Sequence, residues 1–411
     1  MRPDTAAAIS LLSADAVRQR AQRMLAIGLE DGLAHFRIDL ARLDETADLV
    51  AAATLEAYPT LDVPFHSRWR HFVLGSEDRW AAIDDATLWD DAAERARAAF
   101  DLAIASVLLD AGAGAQWGYR DPVTGARVGR SEGLALASLA MFADGALSAR
   151  PGFPLRADAK VLMALTSDDL RRRFQASDAN PLAGLEGRSA LLRRLGATVA
   201  ARPEVFARAD APRPGGLFDH LAALARGGSI AAPVVLSELL LHLGPIWPSR
   251  LELGDISLGD CWRHPAMTTG DATSRLVPLH KLSQWLAYSL IEPLQAAGIA
   301  VTDIDGLTGL AEYRNGGLLI DTGVLALRDP CEAQRAHDVG SALVVEWRAL
   351  TVALLDRLAD SVRQRLRRDA VSFPLARVLQ GGTWAAGRAV ARQRRADGSP
   401  PIKVVSDGTV F

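Results

Sequence analysis

Five charged or polar positions in the C-terminal half have the types and spacing to do chemistry. In LAEYRNGGLLIDTGVL, Glu312 and Arg314 stand two apart between apolar segments. Upstream, Lys281, Gln284 and Tyr288 recur at intervals of three and four, which on a helix puts them on one face, with Leu282, Leu286 and Leu290 turned to a core. A charge enclosed by apolar sequence must be paired, hydrogen-bonded or used on a ligand. ALVVEWRALTVALL sharpens this, because Glu346 and Arg348 are too close in sequence to share a helix face and apolar residues surround both. At least one of them must point into a polar pocket inside the protein, and the Glu312 turn is the obvious partner.

Three other clusters compete. PFHSRWRH, with His66, Arg68, Arg70 and His71 around Trp69, has a composition suited to gripping a phosphate with arginine forks, or is a basic helix start with the tryptophan buried. Trp117 and Tyr119 follow Gly112 and Gly114, where an aromatic face could take a flat base, or could plug a loop from beneath. LGDCWRH groups Asp260, Trp262, Arg263 and His264, and Asp260 offers either a second carboxylate or a loop cap. Lys281 also reads as a snorkelling surface lysine, and Glu312 with Arg314 as a structural ion pair.

The elements that must position these groups read as helices. Ser13 can cap ADAVRQRAQRMLAIGL and Asp44 a helix through LVAAATLEAY; further helical runs cover 78–110, 157–175, 185–201, 217–243, 272–297, 336–368 and 376–395. Asp303 and Asp305 offer caps for one or two turns over Leu307–Ala311 that stop at Asn315-Gly316-Gly317. Strand signals are confined to LLID at 318–321 and IKVVS at 402–406. The expected fold is therefore mainly α, with helix-hairpin-helix character near 301–315 and a few short strands. The Pro/Gly-rich stretch Pro203–Gly216 suggests a helical region 1–205 and a second, 217–411, carrying most of the site, unless the two form one intimate unit.

Bulk properties narrow the classes. The chain has 411 residues, 49% of them hydrophobic, and a formal charge of −3, so there is ample core and no overall field to hold long nucleic acid. Cys261 and Cys331 lack ligand spacing, which argues against a disulfide framework and a structural zinc site, and no metal or other cofactor is expected. Neither a P-loop nor a dinucleotide fingerprint follows a strand. An apolar run long enough for a membrane span and a secretory leader are both missing, so a cytoplasmic protein is expected.

Strings spread along the chain carry a resemblance: VPFHSRWRHF, SVLLDAGAGAQWGY, GRSEGLALASLAMF, FQASDANPLAGLEGRSALLRRLG, LGDCWRH, HKLSQW, LAEYRNGGLLIDTGVL, VEWRALTV, GGTWAAGR and PPIKVVSDGTVF. They resemble the microbial uracil-catabolism family of the Urc/Urg type, which implies a place in that pathway beside a GTP-cyclohydrolase-like ring-opening enzyme. More distantly, the chain is similar to the queuosine-salvage N-glycosylases. Those carry Lys-x-x-Gln, then Leu-Thr-x-Phe-Ala-Asp-Tyr-Arg, then Glu-Ile-Arg-Ala. Here the matching residues are Lys281 and Gln284, then Leu307-Thr308-Gly309-Leu310-Ala311-Glu312-Tyr313-Arg314, then Glu346-Trp347-Arg348-Ala349. Glu312 replaces an aspartate, and Asn315-Gly316-Gly317 replace Val-Pro-Gln.

The similarity implies a helical fold of DNA-glycosylase-like character and an N-glycosidase acting on a small ribosyl 5′-phosphate, with Glu312 as the catalytic carboxylate and Asp260 as the other candidate. Lys281 would bind the phosphate or sugar hydroxyls. Arg314 or Arg348 would hold phosphate or depress the carboxylate's pKa, with Gln284, Glu346, His66 and Arg70 also in the substrate site. Trp117, Trp262 or Trp285 would stack on the leaving group. A non-catalytic nucleotide-binding or regulatory subunit of the ring-opening pathway is the alternative, and a helical scaffold without a ligand is a third.

Overall fold

The computed structural model describes residues 3–110, 112–114, 116–207, 211–247 and 251–405. The fold is mainly α, and its contacts divide the chain into two compact units: Met1–His66, Ser249–Gln284 and Asp303–Ser406 in one, Ser67–Pro248, Trp285–Thr302 and Asp407–Phe411 in the other.

The first unit is organised by the helix Ala342–Leu366, in which every residue from Leu343 to Leu355 is buried. A helix this apolar all round can be satisfied only from all sides. Ala14–Leu29 and Leu43–Ala57 pack along it, and Ser13 caps the former as expected, its Oγ accepting the Ala16 N–H at 3.1 Å. Tyr313–Asp321 also lies against it, and Trp384–Arg394 packs on Tyr313–Asp321 in turn. Short ladders tie the remaining segments: Phe36–Ile38 with Leu325–Leu327 and Cys261–Arg263 with Leu276–Pro278, both antiparallel, and Ala336–Asp338 with Lys403–Val405, parallel.

The second unit contains Ala92–Leu108, buried throughout from Ala98 to its end, with Arg130–Ala143 and Gly216–Leu224 against it. Leu185–Ala200 packs on Ala159–Ala164 and Ala232–Leu243, and the strand Ser229–Ala231 pairs in parallel with Ala300–Thr302. No helix among the described residues is long and apolar enough to cross a membrane.

Several local readings need correction. The run 78–110 is two helices, Arg79–Ala86 and Ala92–Leu108, because Asp78 and Asp91 each cap a new start, accepting the N–H groups of Ala81 and Glu94. A strand likewise splits 217–243, and Leu43–Ala57 begins one residue before its expected cap, Asp44. LLID at 318–321 is helical rather than a strand, whereas Lys403–Val405 in IKVVS is a strand. Around the candidate site the reading inverts. Residues 307–311 are not helical, and Asn315-Gly316-Gly317 lie inside a helix instead of stopping one. Asp303 is left-handed with no capping bond, and Asp305 is spent on Arg363 and the Leu375 N–H.

Candidate functional site

Asp260 is the hub of the first unit's buried polar cluster. Its Oδ1 accepts Trp262 Nε1–H at 2.6 Å and Arg348 Nη1 at 2.8 Å; its Oδ2 accepts Arg348 Nη2 at 2.8 Å and the Lys281 N–H at 2.9 Å. Its backbone carbonyl takes Leu279 N–H at 2.9 Å and His280 N–H at 3.2 Å. The carboxylate thus does the work of a helix N-cap for Lys281–Ala296 from the bend before the strand Cys261–Arg263, where a free helix end would leave N–H groups unsatisfied. Burial alone would raise the pKa of Asp260, but the Arg348 charge, its paired bonds and the Trp262 and Lys281 donors outweigh it and hold the group well below the usual carboxylate range. A carboxylate so committed is a poor proton acceptor.

Arg348 carries the connection onward. Its Nε donates to the Ala311 carbonyl at 3.2 Å, fixing the backbone one residue before Glu312. The expected split of the pair on Ala342–Leu366 is seen: Glu346 faces elsewhere, with Oε1 accepting the His35 and Phe36 N–H groups at 3.1 and 2.9 Å and Oε2 3.4 Å from His264 Nε2. Because His264 Nδ1 accepts from Ala266 N–H, a neutral ring carries its proton on Nε2, toward Glu346.

Glu312 is the N-cap of Tyr313–Asp321, accepting Arg314 N–H and Asn315 N–H, each at 2.7 Å. It is half-buried, as are Lys281 and Tyr313, whereas Asp260, Trp262, Gln284 and Arg348 are buried. Burial pushes the Glu312 carboxyl above its ordinary value; the two N–H bonds and the nearby Lys281 and Arg314 charges oppose that without cancelling it. Gln284 clamps the preceding loop, donating to Thr308 Oγ1 at 2.5 Å and accepting the Thr308 N–H at 3.2 Å. Asn315 donates to the Leu310 carbonyl at 3.3 Å and leaves Oδ1 buried with no hydrogen bond.

Asp260, Trp262, Lys281, Gln284, Glu312 and Arg348 therefore belong to one connected cluster. Arg314 points away, its Nη1 donating to the Gly398 carbonyl at 2.9 Å and its guanidinium over the Tyr313 ring. Trp262 spends its N–H on Asp260, and its ring lies where a Cβ on Gly340 would come within 2.7 Å, so it is a support for the carboxylate. His66 contacts Gln380 at 3.0 Å, elsewhere in the same unit. Arg70, Trp117 and Trp285 belong to the second unit. There Arg70 pairs with Glu292 at 2.7 Å, Trp117 is buried with its N–H on the Phe174 carbonyl, and Trp285 stacks with His71 and Arg68. Tyr288 is also fully buried, so Lys281–Ala296 has no wet face at that position.

From sequence, Thr308 and Asn315 had no role in the site, and His264 stood only as a neighbour of Asp260 in LGDCWRH. Thr308 lies inside the matched Leu-Thr-x-Leu-Ala string, but Asn315 was hidden by reading Asn-Gly-Gly as a stop signal.

The chain matches, over residues 10–411, and belongs to, the family described as "Protein of unknown function (DUF1688)". Among its relatives, "Protein urg3" of Schizosaccharomyces pombe is 39% identical over 414 residues, covering 98% of each chain. "Uracil catabolism protein 4" of Lachancea kluyveri is 37% identical over 411 residues, covering 92% of each.

Proposed function

We propose that the protein acts in uracil catabolism as an N-glycosidase that hydrolyses the N-ribosidic bond of a ribosyl 5′-phosphate compound, ribosylurea 5-phosphate or a pyrimidine nucleotide. The pathway reading is supported by the name of the Lachancea kluyveri relative and by the Urc/Urg-type strings. The observation that carries the reaction is the setting of Glu312: a half-buried residue whose carboxyl is pushed up in pKa by burial, oriented by two backbone N–H groups and lying near Lys281.

In this reading the C1′–N bond breaks with its electron pair leaving on nitrogen, and positive charge builds on the ribose ring. An ionised Glu312 stabilises that charge. A carboxylate has about four lone-pair sites, and the helix N–H groups use two, so acceptor capacity remains for a water. The water's oxygen bonds C1′, one of its protons passes to Glu312 and on to solvent, and a proton from solvent completes the N–H of the departing urea or uracil. Lys281 binds phosphate or hydroxyl oxygens. Asp260 and Arg348 do not touch substrate; they fix Lys281 and the Glu312 turn.

The cap bonds of Glu312 also suit a second reading, a nucleotide-binding subunit without turnover. Incubating the protein with ribosylurea 5-phosphate and separately with uridine monophosphate, then assaying urea, uracil and ribose 5-phosphate, separates the two. Release of ribose 5-phosphate with urea or uracil is expected. Saturable binding with the ligand recovered intact would leave only the binding subunit.

A further inference from the structure

In the second unit, His220, Glu238 and His242 converge from two helices. Glu238 and His242 are four apart on Ala232–Leu243 and so share a face, and His220 reaches them from Gly216–Leu224. Glu238 Oε2 lies 2.6 Å from His220 Nε2 and 3.1 Å from His242 Nε2, and one ligand atom from each residue falls within 4.8 Å of the others. The two imidazoles stand 4.9 Å apart and nearly perpendicular, so their ring nitrogens meet the carboxylate from different directions. Donor atoms on one tetrahedral zinc-sized ion, at about 2.0–2.2 Å from it, stand roughly 3.3–3.5 Å apart, which these side chains reach by small rotations. All three are partly exposed, at 24%, 20% and 13% of their side-chain surface, leaving room for entry and for a water as fourth ligand.

The geometry points to a His2Glu site for a first-row divalent ion of the zinc, cobalt and nickel class, bridging these two helices. Imidazole and carboxylate suit those ions, while a calcium site would need more oxygens. The ion replaces the protons that now bridge each ring to Glu238, so each neutral ring must carry its proton on Nδ1 instead. His242 Nδ1 presently lies 3.1 Å from Arg202 Nη1, which also donates to the Leu241 carbonyl at 3.0 Å. Arg202 therefore opposes the ion twice, by its charge and by holding the wrong tautomer, and removing it should strengthen binding. The site lies outside the Glu312 cluster and its test does not use turnover.

The experiment titrates chelator-treated, desalted full-length protein with Co2+, reading the visible absorption of tetrahedral cobalt, and displaces it with Zn2+ by calorimetry. One ion per chain is expected, with a melting temperature that rises with Zn2+ concentration. Glu238→Gln and His242→Gln, which keep size and hydrogen bonding, should each weaken binding at least tenfold with the helical circular dichroism unchanged. Arg202→Gln should tighten it by about tenfold, because the carboxamide oxygen can accept the Nδ1 proton. Wild-type protein that takes up no Zn2+, or a folded His242→Gln that binds it as wild type does, overturns the proposal.

Discussion

Glu312 has two separable jobs, and substitution can tell them apart. As an N-cap it satisfies two N–H groups of Tyr313–Asp321, a role worth about 1 kcal/mol. As an ionised carboxylate facing a developing oxocarbenium-like ribose it would be worth about 10²–10³ in turnover. Glu312→Gln keeps an acceptor for the cap and loses the charge, so turnover should collapse while the melting point moves little and substrate still binds. Glu312→Asp should keep partial activity, the charge surviving on a shorter arm. A folded Glu312→Gln protein with wild-type turnover refutes the assignment. Asp260 carries the opposite signature. Asp260→Asn leaves the Arg348 guanidinium buried without its counter-charge, which costs about 3–5 kcal/mol, and the loss should appear as a lowered denaturation midpoint whether or not substrate is present. Its folded-state pKa is depressed, so the stability it contributes is present above the ordinary carboxylate pKa of about 3.9 and is lost as pH falls through its lower folded value. Wild type should thus lose more stability on acidification than Asp260→Asn does; parallel acid-unfolding curves for the two would show that the Arg348 pair contributes nothing.

At the scale of elements, the turn at 307–317 shows what the sequence makes legible and what it hides. The helix at 14–29 was readable with its Ser13 cap, and those at 185–200 and 342–366 were readable as runs over 185–201 and 336–368, because apolar patterning is a local property; the strand at 336–338 was not. That the charges at 281, 312 and 348 need partners was readable too, since buried charge demands them; the partners themselves, Asp260 and the Ala311 carbonyl for Arg348 and two backbone N–H groups for Glu312, were not. The start of a helix at Tyr313 was not, because Asn-Gly-Gly is a stop signal by propensity, and the reason to tolerate it is tertiary. A Cβ on Gly316 would lie 2.7 Å from Trp347 Nε1 and 2.8 Å from Thr351 Oγ1, so close packing against Ala342–Leu366 requires glycine there. The role of Asp260 as a remote cap was likewise invisible, because Asp260 and Lys281 are separated by a strand ladder that only the fold closes. Gly316→Ala should therefore cost about 1–3 kcal/mol by overpacking and shift Glu312 with its helix, lowering turnover as well. Gly244→Ala, where a Cβ meets nothing within 4 Å, serves as the control and should change stability by no more than about 0.5 kcal/mol. Equal melting points for the two variants would remove the close-packing argument.

At the scale of the whole chain, the second unit is assembled from segments distant in sequence. The Pro/Gly-rich stretch at 203–216 falls inside it, where Gly215 and Gly216 are required because a Cβ would come within 2.4 Å of the Arg97 carbonyl and 2.5 Å of the Phe206 carbonyl. Its closure depends instead on residues 285–302. Ser289 accepts the Arg68 N–H at 2.9 Å and, through its carbonyl, Trp69 Nε1–H at 2.7 Å; Glu292 binds Ser67 and Arg70; and Ala300–Thr302 completes the parallel pair with Ser229–Ala231. Leu290, Ile291 and Leu294 are all fully buried, and each is worth roughly 1.5–3 kcal/mol of transfer from water. Those three side chains alone approach the 5–15 kcal/mol that stabilises a typical domain. A fragment spanning 67–248 should accordingly be protease-sensitive and lack a cooperative melt, whereas the same fragment joined through a flexible linker to 285–302 should regain both. A 67–248 fragment that resists proteolysis and melts in one sharp transition by itself would show that the later segment decorates a fold already complete.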